Sequence, residues 1–276
     1  LGMNKKSKNK TKLKFIYFFC IFCLISLSLL SILLTTIYYR LPDVSTIKNV
    51  EYKPLIHVYD NNSELLKTYG TENNNYIIYE ELPGYLVDAV LAIEDRKFFN
   101  HIGIDFMALP RAFITNIISG YYAQGASTIT QQLAKLYFLS PEKTLKRKIT
   151  EMLLALKLER YYSKKEILEL YLNKAYFGSG NYGVHAASFD YFGKNVEEIS
   201  LHEAALLAGL LKAPTRFSPK NNPELSAKRT NLVLEVMLKN NFISEEEYVV
   251  SLYQDNAWDG SLSNTDNYKY YLNYIL

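Results

Sequence analysis

From Phe15 to Tyr39 the chain runs for 25 residues without a charge. No other feature limits its folding as much. A helix rises about 1.5 Å per residue, so this run outreaches the roughly 30 Å hydrocarbon core of a bilayer. A basic block precedes it: Lys5, Lys6, Lys8, Lys10, Lys12 and Lys14. A cleaved signal peptide has a shorter apolar core and a small-residue cleavage site. No such site precedes Arg40, so an uncleaved single-pass anchor is expected over 15–39. The lysines predict that residues 1–14 stay in the cytoplasm. Everything after Arg40 then lies on the outer, periplasmic side of the cytoplasmic (inner) membrane. Tyr38 and Tyr39 suit an interfacial aromatic belt. Cys20 and Cys23 fall inside the span, where no second pair of metal ligands is at hand, so they read as small apolar residues. Leu1 and Gly2 before Met3 suggest that Met3 is the natural start or that an upstream fragment is included.

The remainder has a globular composition. Of 276 residues, 49% are hydrophobic, and the net charge of +3 is too balanced to point to nucleic acid. The 24 Tyr fit a compositional bias shared with Lys, Asn and Ile rather than a tyrosine-specific role. Residues 40–54, bounded by Pro42 and Pro54, look like a stalk. Short β-like stretches are expected at 55–60 and 76–82. From Gly84 onward apolar residues recur at helical spacing, over 85–93, 106–118, 128–139, 144–160, 164–173, 200–211 and 225–239. The chain therefore reads as mainly α, with one folded body over 55–245 and a linker-like tail over 246–276.

Three clusters of ionisable and polar groups could carry chemistry. The first is "EDRKFFNHIGID" (94–105), which ends an apolar helix in a dense set of charges. The second is "GASTITQQLAKLYF" (125–138), with small residues and hydroxyls, paired glutamines, then Lys135. The third is "KTLKRKITEMLLALKLE" (143–159). In it Glu151 lies three residues after Lys148 and four after Arg147, so one helical face can carry all three. An ordinary surface pair of this kind is worth a few tenths of a kcal/mol. Glu151, however, opens a stretch that reads as buried, and a carboxylate there needs partners or a raised pKa. Two carboxylates, several cations and a hydroxyl- and amide-rich loop suggest glycosyl chemistry on a phosphorylated substrate. A carboxylate can take the proton of an attacking hydroxyl. Cations can stabilise a departing diphosphate.

These residues carry a family resemblance. The chain resembles the peptidoglycan glycosyltransferase domain (family 51) of class A penicillin-binding proteins over roughly 50–245. Five motifs stand in that family's order: "EDRKFFNHIGID" (94–105), "GASTITQQLAK" (125–135), "RKITEMLLALKLE" (147–159), "KKEILELYLNKAYFGSGNYGVHAASFDYFGK" (164–194) and "LHEAALLAGLLKAPTRFSP" (201–219). The resemblance implies a lysozyme-like helical glycosyltransferase fold behind a single N-terminal transmembrane helix. It implies that lipid II and a growing glycan chain are joined by β-1,4 linkage, with inversion and release of undecaprenyl diphosphate. Glu94 matches the base that activates the acceptor 4-hydroxyl, and Glu151 the second important carboxylate. Lys135, Arg147 and Lys148 match the groups that bind the donor's diphosphate. Ser127, Thr128, Gln131 and Gln132 match the motif lining the cleft. A divalent cation such as Mg is compatible with the family, although no metal-ligand set is visible. Cell wall synthesis proteins are possible partners. Phe217, where Tyr is common, and Ala175, where a branched residue is common, depart from the pattern without touching the chemistry.

The remaining motifs have modest readings. His101, His185 and His202 are too scattered for zinc, and His101 is expected to order the first loop. Gly178, Gly180 and Gly183 suit close turns. Glu203 is expected to stabilise a helix end, and Glu159 reads as structural. "FMALPRAFITNIISGYY" (106–122) is amphipathic, suiting core packing or membrane contact. "STIK" (45–48) and "SPEK" (140–143) match the SxxK of a transpeptidase by chance, and no KTG follows. The chain is thus expected to be the N-terminal part of a longer bifunctional protein, with a monofunctional enzyme as the alternative. The rival functions are a lysozyme-like peptidoglycan hydrolase and a non-catalytic membrane scaffold. The basic group around Arg147 argues against the hydrolase, and the presence of both carboxylates against the scaffold.

Overall fold

The computed structural model describes residues 3–48, 56–59, 65–69, 76–108, 127–142 and 144–253, with the backbone alone for 3–15, 56–59 and 65–69. Most of the helix expected over 106–118 lies outside these residues. So do Gly125, Ala126, Lys143, residues 49–54 of the stalk segment and residues 254–276 of the tail.

Helix α1 (Met3–Tyr39) contains the apolar run. Its portion Ile16–Tyr39, 24 residues, is long and apolar enough to cross a membrane and contains no buried residue. The segment that follows packs on the body. Leu41, Val44 and Ile47 join the core. Lys157 Nζ donates to the Pro42 carbonyl at 2.8 Å, and the Tyr162 hydroxyl donates to that of Val44 at 2.7 Å. Lys48 meets Glu166 at 2.7 Å and, with the Ser163 backbone N–H, holds that carboxyl down to about 2. This exposed pair adds little energy, but it stays charged at any physiological pH.

A small antiparallel hairpin pairs β1 (Ile56–Tyr59) with β2 (Leu65–Tyr69). The β-like reading at 76–82 does not hold. Tyr76 to Ile78 is extended, and a 3-10 turn, Tyr79–Glu81, follows. Here the backbone N–H groups find side chains instead of a neighbouring strand. Ile77 N donates to Asn173 Oδ1 at 3.0 Å and Tyr79 N to Glu169 Oε2 at 3.0 Å. Either kind of partner satisfies a buried amide.

The helical body contains α2 (Gly84–Glu94), α3 (Ile129–Phe138), α4 (Leu145–Tyr161) and α5 (Lys164–Lys174). After a short hairpin, β3 (Tyr176–Gly178) with β4 (Asn181–Tyr182), come α6 (Val184–Phe192), α7 (Leu201–Leu210) and the one-turn α8 (Pro214–Phe217). The long α9 (Pro223–Lys239) and α10 (Glu245–Tyr253) complete it. Helix α10, in the segment expected to be a linker-like tail, packs on α7 and α9.

Local sequence fixes the helix starts. Thr128 with Gln131, Ser163 with Glu166, and Ser200 with Glu203 each form a reciprocal capping box. Glu203 therefore secures a helix end, and Lys194 adds an ion pair to it at 2.8 Å. Helix α7 is buried from His202 to Leu210 and forms the central rod. Helices α2 and α9 pack against it and against each other, while α3 packs on α4 and α5. The neighbours enclose this mostly apolar helix, and the end of α2 meets the start of α3 where Asp95 accepts the Ile129 N–H. Gly178, Gly180 and Gly183 all have φ near +90°, as their turn reading requires.

Candidate active site

Helix α2 stops at Glu94 because Asp95 leaves the helical conformation, its φ being −158°. Asp95 is buried and works as a hub. Its carboxylate accepts the Ile129 backbone N–H at 3.0 Å, in the first turn of α3, and His101 Nε2 at 2.9 Å. His101 Nδ1 accepts the Gly103 N–H at 3.0 Å, so the ring proton sits on Nε2, facing Asp95. His101 orders the loop in this way. The Thr128 hydroxyl donates to the Gly103 carbonyl at 2.6 Å. The first two motifs are thereby stitched together, and the charges around Glu94 turn away from it into the frame.

Gly103 is the point of closest approach between this loop and α4. Its φ is +94°, and a Cβ there would lie 2.9 Å from Glu159 Cγ and 3.0 Å from the Ala155 carbonyl oxygen. Glu159 itself is structural, accepting Thr130 Oγ1 and Lys164 Nζ. Gly103→Ala is expected to destabilise the body by about 2 kcal/mol. Thermal unfolding of the purified chain checks this, and an unchanged midpoint refutes the close-approach argument.

Among the described residues Glu94 keeps one direct hydrogen bond, from Gln132 Nε2 at 2.8 Å. Burial pushes its carboxyl above the usual glutamate value. The Gln132 bond and the charges of Arg229 and Lys212 pull it back, and Asp95 adds to the rise. Burial also lowers the Arg229 pKa, and Glu94 opposes that change. Arg229 is held on α9 by the Gly209 carbonyl at 3.3 Å and lies over the Phe217 ring.

The second pole lies on α4. Glu151 is buried, and its carboxylate is gripped by Lys148 Nζ and by an Arg147 guanidinium nitrogen at 3.3 Å. Lys148 Nζ also donates to Ser127 Oγ at 2.8 Å. The Arg147 Nε is buried with no hydrogen-bond partner among the described residues. One carboxylate against two cations leaves this pole with a net positive charge.

The segment Ser127–Gln132 joins the poles. Ser127 reaches Lys148, and five residues on Gln132 reaches Glu94, a separation on the order of 10 Å. The geometry thus gathers Glu94, Gln132, Ser127, Lys148, Arg147 and Glu151. Thr128 and Gln131 are buried, and their polar atoms serve the capping box and Gly103. Lys135 stands exposed in the last turn of α3, without an ion-pair partner among the described residues. Sequence reasoning did not single out Arg229 or Tyr171. Each is one polar residue among many on its helix, and nothing in the spacing shows that both face Glu94. Among the described residues no group of three or more His, Cys, Asp or Glu is arranged to hold a metal. The Glu151 oxygens face cations, so they do not form a divalent-metal cage.

Comparisons with known proteins give the chain a family. The family model described as Transglycosylase matches residues 62–238. Penicillin-binding protein 1A of Aquifex aeolicus is 48% identical over 219 residues, 79% of this chain and 30% of that protein. Penicillin-binding protein 1A of Escherichia coli is 44% identical over 209 residues, 76% of this chain and 25% of that protein. A solved structure of Penicillin-Binding Protein 1A from Haemophilus influenzae is 27% identical and covers 74% of this chain and 21% of that one, with a TM-score of 0.44. The chain spans less than a third of the length of these curated relatives.

Proposed function

The chain belongs to the transglycosylase family, and on that premise we propose how its helical body works as a peptidoglycan glycosyltransferase in cell wall synthesis. Glu94 is the base. It takes the proton from the 4-hydroxyl of the lipid II acceptor as that oxygen attacks the anomeric carbon of the growing chain. The bond from that carbon to the diphosphate breaks on the opposite face, so the centre inverts and a β-1,4 linkage forms. The electron pair leaves with undecaprenyl diphosphate. Arg147 and Lys148 meet the charge that develops there, and Lys135 extends the cationic wall. Ser127 and Gln132 face the cleft between the poles, while Thr128 and Gln131 hold its wall in place. The body sits on the outer face of the cytoplasmic membrane, tethered by α1 with its lysines inside. In the whole protein this domain precedes a transpeptidase.

The observation that carries the reading is the paired contact from one segment. Gln132 reaches a carboxylate whose pKa burial raises, and Ser127 reaches a cation pinned by a second, buried carboxylate. A hydrolase needs no cationic pole, because no diphosphate leaves. The test is incubation of the detergent-solubilised chain with lipid II, and separately with finished peptidoglycan. Polymer and free undecaprenyl diphosphate are expected from the first and no soluble fragments from the second. The reverse result sinks the reading.

Lys148→Ala removes a cation that bridges Ser127 and Glu151. It is expected to raise the KM for the donor about tenfold, the cost of one charge-assisted contact. Initial-rate kinetics with varied donor check it, and unchanged kinetics remove Lys148 from the diphosphate site.

A further inference from the structure

We propose that Tyr171 is a positioning residue for the base, acting through Gln132. Tyr171 lies on α5, is buried, and donates its hydroxyl to Gln132 Oε1 at 3.0 Å. The other end of the same amide, Nε2, donates to Glu94 Oε2 at 2.8 Å. Three helices therefore form one relay, from α5 through α3 to α2. The inference rests on the reading of Glu94 as the base.

The relay fixes which way the amide points. Gln132 can satisfy Glu94 in two ways. With Nε2 toward Glu94 it stabilises the ionised carboxylate. With Oε1 toward Glu94 it repels the carboxylate and accepts from the protonated acid. A phenol that donates to Oε1 selects the first orientation, because the flipped amide would leave the phenol proton without an acceptor. Burial, and then the nearby Glu94 charge, holds the Tyr171 phenol well above its ordinary pKa, so the donor proton is always present. The relay thus biases Glu94 toward its ionised, proton-accepting form. It opposes the push of burial together with Arg229 from α9 and Lys212 from the turn after α7, while Asp95 at the end of α2 acts in the other sense.

Tyr171→Phe removes one oxygen and leaves the ring packing. Gln132 is then free to turn, and protonated Glu94 gains an acceptor. The Glu94 titration midpoint should rise by about one pH unit. On its acid limb the kcat/KM for polymerisation should fall about tenfold, with donor KM changed less than twofold. The measurement is a carboxyl-carbon NMR titration of Glu94 in the solubilised full chain, paired with pH–rate profiles. A second comparison guards against a general packing effect. In a Gln132→Met background, Tyr171→Phe should produce no further shift. The proposal is overturned by an unmoved midpoint in the single variant, or by an equal shift in the Gln132→Met background. If the wild-type chain does not polymerise lipid II, the functional reading fails separately, and the titration still decides whether Tyr171 orients Gln132.

Discussion

Glu94→Gln is expected to cut lipid II polymerisation by about a thousandfold, the scale of a lost general base, and to leave the body folded. The amide has nearly the volume of the carboxyl, and its oxygen still accepts from Gln132 Nε2. Gln132 Nε2 is not orphaned, while the new amide N–H groups need an acceptor of their own. The stability effect has a definite sign. Burial raises the Glu94 pKa, so folding favours the protonated acid. That contribution is complete below the unfolded-state value and is lost as pH rises through the folded-state value. At neutral pH the ionised carboxylate works against the fold, and the neutral amide relieves it. The thermal midpoint of Glu94→Gln should therefore equal or exceed that of the wild type. In the wild type, activity should fall away with decreasing pH at a midpoint above the ordinary glutamate value. Polymerisation within tenfold of wild type in Glu94→Gln would remove Glu94 as the base.

The long apolar helix, the mainly helical body and most helix bounds were legible because each has a local cause. Charge-free length identified α1. Apolar spacing placed α2, α3, α4, α5, α7 and α9 within a residue or two at most ends. The misses have physical causes as well. Residues Tyr76 to Leu82 have β-like composition, but Asn173 and Glu169 on α5 use their amides, and no local pattern announces a partner some ninety residues away. Helix α6 starts directly after Gly183, with no side-chain cap. Helix α10 lies at the start of the segment 246–276 that was expected to be a linker-like tail. In the site, Arg147, Lys148 and Glu151 were readable because helical spacing alone puts them on one face. The surroundings of Glu94 were not, since Gln132 meets it from α3, Tyr171 stands behind Gln132 on α5, and Arg229 bears on it from α9. Asp95 stands in the same dense set of charges as Glu94, and its contacts with Ile129 and His101 make it a fastening.

Glu151→Gln separates the two roles that a cationic pole can have. In the wild type the Glu151 carboxylate neutralises one charge and fixes the directions of two side chains, Arg147 and Lys148. Arg147 and Lys148 remain partly exposed, so their pairs with Glu151 contribute less to stability than a fully buried pair would. The amide keeps the shape and one acceptor but gives up the charge. Lys148 then keeps Ser127 as its fixed partner, and Arg147, whose Nε already has no partner among the described residues, loses its anchor. The pole becomes more positive and less ordered. Ground-state attraction for a diphosphate should hold or increase, whereas stabilisation of the departing charge depends on preorganised donors and should drop. The expected outcome is a kcat lowered about a hundredfold with a donor KM no higher than wild type. That is the opposite split from Lys148→Ala, where an attractive charge is removed and KM rises. Steady-state kinetics on lipid II with both variants decide the matter. A raised KM with normal kcat in Glu151→Gln would mean that Glu151 binds substrate directly rather than ordering the cations.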